Sequence, residues 1–161
     1  MITQQKVKEL FKYNAEAGVL TNRTNRARSK SGDVAGWVNP SLGYRYISIQ
    51  YKQYLAHRLI WLYVNGSMPN GQIDHINGVV NDNRIENLRD ATRSENRRNS
   101  KMYSNNKIGF KGVTRNGRMF AAAIYANKKQ NFIGNFSTPE DAHKAYCEKA
   151  DELFGEFANH G

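Results

Sequence analysis

Between Asn99 and Lys107 the sequence NSKMYSNNK has no hydrophobic periodicity, whereas the stretches on either side of it do. A chain interrupted in this way does not build one continuous core. The 161 residues are therefore expected to fold as two small units, each near the lower end of ordinary domain size. The expected boundaries are 1–100 for an N-terminal region and first unit with its centre at 56–99, a linker over 101–108, and a second unit over 109–161.

Charge narrows the partners. Lys and Arg outnumber Asp and Glu by 24 to 14, a formal net charge of +10, so the surface attracts polyanions. No long apolar run, leader peptide or cationic amphipathic helix is visible, so nucleic acid is expected in place of a membrane, and the cytoplasm is the expected compartment. The lone Cys147 rules out an internal disulfide and a multi-cysteine zinc cluster, leaving oxygen and imidazole as metal ligands. With 39% hydrophobic residues the chain has enough for packed cores.

In the first unit, Val7, Leu10 and Phe11 have one-face spacing and predict a helix over 6–13. NRTNRARSKSGD reads as an exposed basic loop, and the Tyr- and Ile-rich 37–55 as a small antiparallel sheet. AHRLIWLYVNG, 56–66, predicts a buried helix closed by Gly66. Thr92 and Glu95 stand at capping-box spacing, so a helix is expected from about residue 93 through RRN. In the second unit, three short segments separated by turn signals predict a three-stranded meander, and Thr138, Pro139 and Asp141 start a helix whose apolar stripe, with Ala142 and Tyr146, lies across it. From Arg93 to Phe132 there are ten basic residues and one acid; from Ile133 on, two basic residues face six acids. The expected arrangement is a positive sheet backed by an acidic helix.

The chemistry concentrates in QIDHINGVVNDNRIENLRDATRSENRRN, residues 72–99. Phosphodiester hydrolysis needs an activated water and charge neutralisation at the phosphate and the departing oxygen. His75 suits the first task, because an imidazole is mostly neutral at cellular pH and takes a proton. Asp74 suits the second as a hard oxygen ligand, with a bend or bulge needed to aim both side chains at one site. Asn96 offers an amide oxygen as a further ligand, and Asn87 a group to fix the imidazole's tautomer. His57 reads as a packing or hydrogen-bonding residue. Arg84 and Arg89 flank Asn87; Arg84 is a candidate phosphate contact, and Arg89 either that or an ion pair near Asp90.

The pattern IDHING…DNRIENLR…T…EN, with HRLIW before it, resembles the HNH endonucleases, particularly the phage and intron-encoded homing type. The resemblance implies an α+β chain with a ββα-metal (His-Me finger) nuclease unit, His75 as general base, Asp74 and Asn96 as ligands of one Mg²⁺ or Mn²⁺ per site, and Asn87 orienting His75. Many members carry histidine where Asn96 stands, and the oxygen-rich set favours Mg²⁺ or Mn²⁺ over zinc. The implied partner is double-stranded DNA, cut by a monomer or a homodimer on DNA, in the host cytoplasm if the gene is a phage's. The alternative is a catalytically silent DNA-binding regulator.

Residues 109–158 resemble the Apetala-type (ethylene-response-factor) DNA-binding domain, carried by KGVTRNGRMFAAAIY, FIGNFSTPEDAHKAY and FGEFAN. The resemblance implies a three-stranded sheet packed on one helix and entering the major groove. By position it implies Arg115, Arg118, Tyr125, Lys129 and Phe132 as base or backbone contacts. Tyr125 and Phe132 stand where the plant proteins carry Arg or Trp, so no plant-type sequence preference is carried over. Lys111 and Lys128 join them as basic DNA contacts, and Arg97, Arg98 and Lys101 as residues tracking the backbone between the units.

Overall fold

The computed structural model describes residues 2–25, 29–100, 102 and 105–161. The chain is mixed α/β and divides into two compact units, Met1–Arg93 and Ser94–Gly161. Arg26 and Arg28 of the expected basic loop, and Lys101, lie outside the described residues.

In the first unit, helix α1 (Gln4–Leu10) starts where Thr3 Oγ1 accepts from Lys6 N at 3.2 Å. It ends three residues earlier than its spacing suggested. Phe11 is buried, but as the first residue of strand β1 (Phe11–Asn14), which pairs antiparallel with β2 (Val19–Asn22). A buried Phe satisfies helical and strand periodicity alike, so spacing could not separate the two. The described residues of the basic segment beyond β2 are mostly exposed, as expected, and its two ends are held together: Asn22 N donates to Asp33 O at 2.9 Å, and Arg23 Nε to Phe11 O at 2.9 Å.

Strands β3 (Trp37–Val38), β4 (Arg45–Ile49) and β5 (Lys52–Leu55) form an antiparallel sheet in that order. Helix α2 (Ala56–Asn65) follows directly and ends at Gly66, whose φ of 81° supplies the left-handed cap. Its Leu59, Ile60 and Leu62 meet Val7, Phe11, Leu20 and Ile47 in one core. Ile73 and Leu88 join that core from a separate hairpin of β6 (Gln72–His75) and β7 (Leu88–Ala91), so the hairpin is anchored by its apolar row.

Helix α3 (Arg93–Arg98) begins at the division, and from Ser94 on belongs with the second unit. The division lies ahead of the expected 101–108 linker because 98–100 are tied to the C-terminal unit. Asn159 Nδ2 donates to Asn99 Oδ1 at 3.0 Å, Lys111 Nζ donates to Ser100 O at 2.6 Å, and the Arg98 guanidinium lies 4.8 Å from the Phe154 ring centre. Strands β8 (Val113–Asn116), β9 (Met119–Ala126) and β10 (Lys129–Phe136) make the meander in the order β10-β9-β8. Helix α4 (Pro139–Phe154) carries Pro139 in its first turn and the Thr138 cap. Its Ala142, Tyr146 and Ala150 meet Val113, Ala122 and Ile124.

Strand alternation then sorts the side chains. Phe120, Ala122, Ile124 and Ala126 form one row of β9, and the buried members of this row face the helix; Met119, Ala121, Ala123 and Tyr125 face away. Arg115 pairs with Phe120, and Lys129 with Ala126, so both fall in the helix-side row. Among the described residues the open face of this sheet carries no charged side chain, and the expected positive sheet is instead a neutral one with basic turns at its ends.

Candidate active site

The β6–β7 register runs unbroken from Gln72↔Ala91 to His75↔Leu88, so the expected bulge is absent within the paired strands. Asp74 and His75 therefore leave the ribbon on opposite faces. Their partners agree with this. Asp74 receives two hydrogen bonds at Oδ2 from its cross-strand neighbour Arg89, from Nε at 2.8 Å and Nη2 at 2.7 Å. His75 turns toward α2, where its ring lies edge-on to His57 with centroids 5.2 Å apart and 6.1 Å from Tyr44. Each is only 4% exposed. A buried carboxylate with a guanidinium beside it is charge-balanced, and losing either partner strands the other. Arg89 thus pairs with Asp74, while the nearby Asp90 accepts from Asn70 N and Gly71 N at 2.8 Å.

The asparagine-rich loop between the strands is a hydrogen-bonded frame. Asn87 Oδ1 accepts from Asn77 N at 3.0 Å, and its Nδ2 donates to Asn77 Oδ1 at 3.0 Å and Asp82 O at 2.8 Å. Asn77 Nδ2 in turn donates to Asp82 Oδ2 at 2.7 Å. Arg84 grips both oxygens of Asp82 at 2.8 and 2.7 Å and reaches Glu86 at 3.0 Å, so this candidate phosphate contact is engaged within its own loop. Its hydrogen bonds hold the Asp82 carboxyl well below the usual range.

That frame delivers one further side chain, which sequence reasoning missed. Asn83, 1% exposed, sets its Oδ1 3.0 Å from His75 Nε2. Asn87, expected against the imidazole, spans the loop; Asn83 meets the ring. The loop holds many asparagines, and only its folded path selects the inward one. Tyr13 pins that path: its hydroxyl accepts from Ile85 N at 2.9 Å and donates to Asn83 O at 3.4 Å. Burial also raises the Tyr13 phenol. Behind the site His57 is buried as its packing role predicted. Desolvation, with smaller contributions from His75 and Arg58, lowers its pKa to about 3, so it is neutral at physiological pH.

Asn96 lies on α3, beyond the division between the units. Among the described residues no group of three or more His, Cys, Asp and Glu side chains is placed to hold a metal. A carboxylate and an amide completed by water suit a small hard cation and not a zinc centre.

In the second unit, Lys111 is a strut: Nζ donates to Ser100 O and to Asn159 O and Oδ1 at 2.6, 2.9 and 3.1 Å, and burial lowers its pKa to about 8. Arg115 lies 5.0 Å from the Phe120 ring centre and donates from Nε to Gly117 O at 3.2 Å. Arg118 and Lys128 occupy the turns, and Tyr125 and Phe132 stand on the open face, 67% and 64% exposed. Arg97 lies on α3 with Arg98.

Residues 54–98, from the end of β5 to the end of α3, match the HNH endonuclease family. The chain contains an HNH endonuclease domain. It is 38% identical over 104 residues to an uncharacterized HNH endonuclease of Acanthamoeba polyphaga mimivirus, a match that takes in 63% of this chain and 54% of that relative. It is 32% identical over 111 residues to Protein 3.8 of Escherichia phage T7, across 67% of this chain and 91% of the relative. The chain thus spans about half the length of the mimivirus protein and nearly all of the phage one. No solved structure matches the chain. No helix among the described residues is long and apolar enough to cross a membrane.

Proposed function

We propose that the chain is a phage-type homing endonuclease that hydrolyses phosphodiester bonds of duplex DNA, with the hairpin unit as a ββα-metal nuclease centre and the second unit holding the DNA. The observation that carries this reading is the buried His75 with Nε2 fixed by the Asn83 amide oxygen at 3.0 Å; the buried Asp74 precedes it in the strand and leaves by the other face of the ribbon. An amide oxygen only accepts, so Nε2 carries the proton and Nδ1 the lone pair. His75 Nδ1 takes a proton from water as the water oxygen attacks phosphorus, and the bond from phosphorus to the departing sugar oxygen breaks. The neutral His57 keeps a second positive charge away from this base.

Asp74 and Asn96 are the residues that would hold one Mg²⁺ or Mn²⁺, which when bound supplies charge neutralisation at the phosphate and the departing oxygen. Arg89 fixes the direction of the Asp74 carboxylate. Asn87 organises the loop that presents Asn83. Acting in a host cytoplasm, a single centre nicks one strand; a homodimer on DNA cuts both.

Incubating the protein with supercoiled plasmid and Mg²⁺ tests this: relaxed or linear product is expected from the natural chain and none from His75→Ala. No product at any metal or salt concentration, or equal product from the variant, defeats it. The hold of Arg89 on Asp74 favours one competing reading, a catalytically silent DNA-binding regulator, which gives gel shifts without metal-dependent cleavage.

A further inference from the structure

The open face of the second unit's sheet lacks the groups that read guanine or cytosine. Guanine shows two acceptors to the major groove and is read by Arg or Lys; cytosine shows an amino donor and is read by a carboxylate. Neither type stands at a strand position of this face among the described residues, because the register turns Arg115 and Lys129 to the helix side; Lys107, outside the strands, lines a cavity with Tyr125 and Gln130 at its end.

The face carries two other kinds of group. The first is amides. Gln130, opposite Tyr125, is exposed, and Asn116 Nδ2 donates to Asn135 Oδ1 at 3.0 Å across the middle strand. That pairing uses one Asn116 N–H and the Asn135 oxygen, so the pair keeps the Asn116 oxygen as an acceptor and the Asn135 amino group as a donor. Side-chain amides match the N6 donor and N7 acceptor of adenine. The second kind is apolar. Ala121 and Ala123 form a low floor between Met119, Tyr125 and Phe132, the last three 42%, 67% and 64% exposed. Such groups meet the thymine methyl.

Shape and rim charge fit the same occupant. Three strands at about 4.8 Å spacing are roughly 10 Å across, within a major groove about 12 Å wide. The β8–β9 turn carries Arg118 and the β9–β10 turn Lys128, at opposite ends of β9, so a neutral reading face is bracketed by two cations for phosphate.

We infer that this face is a major-groove reader of A·T base pairs, with Gln130 and the Asn116–Asn135 pair addressing adenine and the Ala121–Ala123 floor with Phe132 addressing thymine. The inference rests on the DNA-acting reading above. It assigns base selection to uncharged side chains and leaves to Arg118 and Lys128 the sequence-independent hold on the backbone.

The test is fluorescence anisotropy of the full chain in chelator, where nothing is cut, with A·T-rich and G·C-rich duplexes and an A·T-rich single strand of equal length. The A·T-rich duplex is expected to bind about tenfold tighter than the G·C-rich one. Gln130→Ala with Phe132→Ala should bring the ratio near one. Lys128→Ala should weaken both duplexes alike and lower the salt slope by about 0.9. Equal or tighter binding of the G·C-rich duplex, tighter binding of the single strand, or a preference that survives in the double variant overturns the inference. Plasmid cleavage in Mg²⁺, run in parallel, reports separately on the nuclease reading: cleavage without base preference removes the A·T reader and keeps the nuclease, and preference without cleavage does the reverse.

Discussion

In the first unit Asp74, His75, Asn83 and Asn87 are buried; in the second, Met119, Tyr125 and Phe132 stand in solvent. The usual distribution puts hydrophobic side chains inside and polar ones out, and these two clusters depart from it in opposite senses. A buried polar cluster is stable only when its hydrogen bonds are complete, and the first unit meets that condition: among the described residues no buried side-chain nitrogen or oxygen lacks a partner. An exposed apolar face makes no such demand on the fold. The first cluster should therefore be costly to disturb, in rate and in stability together, and the second costly only to binding.

The largest effect falls on the base. His75→Ala should lower the cleavage rate about a hundredfold to ten-thousandfold, the range for loss of a positioned general base, and leave duplex binding in chelator intact. Single-turnover cleavage of an end-labelled duplex measures it. Next, Gly112→Ala probes the packed side of the second unit. Gly112 has φ of 77°, and a Cβ there would overlap the Tyr146 ring. A loss of about 2–4 kcal/mol is expected from strain and overpacking, read by denaturant unfolding as a lower midpoint.

Asn83→Ala removes the amide that meets the imidazole. A loss of about 1–3 kcal/mol in stability is expected, together with a shifted acid limb in the pH–rate profile. A residue that only filled space would leave the profile in place. His57 follows, with the sign set by its depressed folded pKa of about 3 against an ordinary 6.5. The folded state keeps it neutral, the unfolded state takes up a proton, and stability is lost as pH falls below 6.5. Between pH 7.5 and 5.5 the loss from this group is about 1.4 kcal/mol, and His57→Phe should flatten that part of the curve.

How far the sequence could be read follows the same division between local and long-range determinants. Thr138, Pro139 and Asp141 announced α4 because a cap is decided within four residues, and Gly66 marked the end of α2 for the same reason. The pair Asp74–His75 was visible for its chemistry. Which asparagine reaches the ring was not, because Asn83 and Asn87 differ only in the path of a loop held by Tyr13, seventy positions away from Asn83. The sign of the sheet face was hidden by parity: ten basic residues in one stretch suggest a positive face, yet a one-residue step decides whether Arg115 points to bases or lies over Phe120.

The smallest expected effect sharpens the comparison most. Tyr125 and Phe132 sit diagonally on adjacent strands, with no core residue beneath their rings to lose, so Tyr125→Ser and Phe132→Ser should each change unfolding free energy by less than about 0.5 kcal/mol. Denaturant melts of the full chain, with the second unit's transition resolved, measure this directly. A near-zero change alongside weakened binding to A·T-rich duplex means that the rings serve the partner and not the fold. A loss of 2 kcal/mol or more would show the open face to be covered by the protein itself in solution, and the contrast between the two units would disappear.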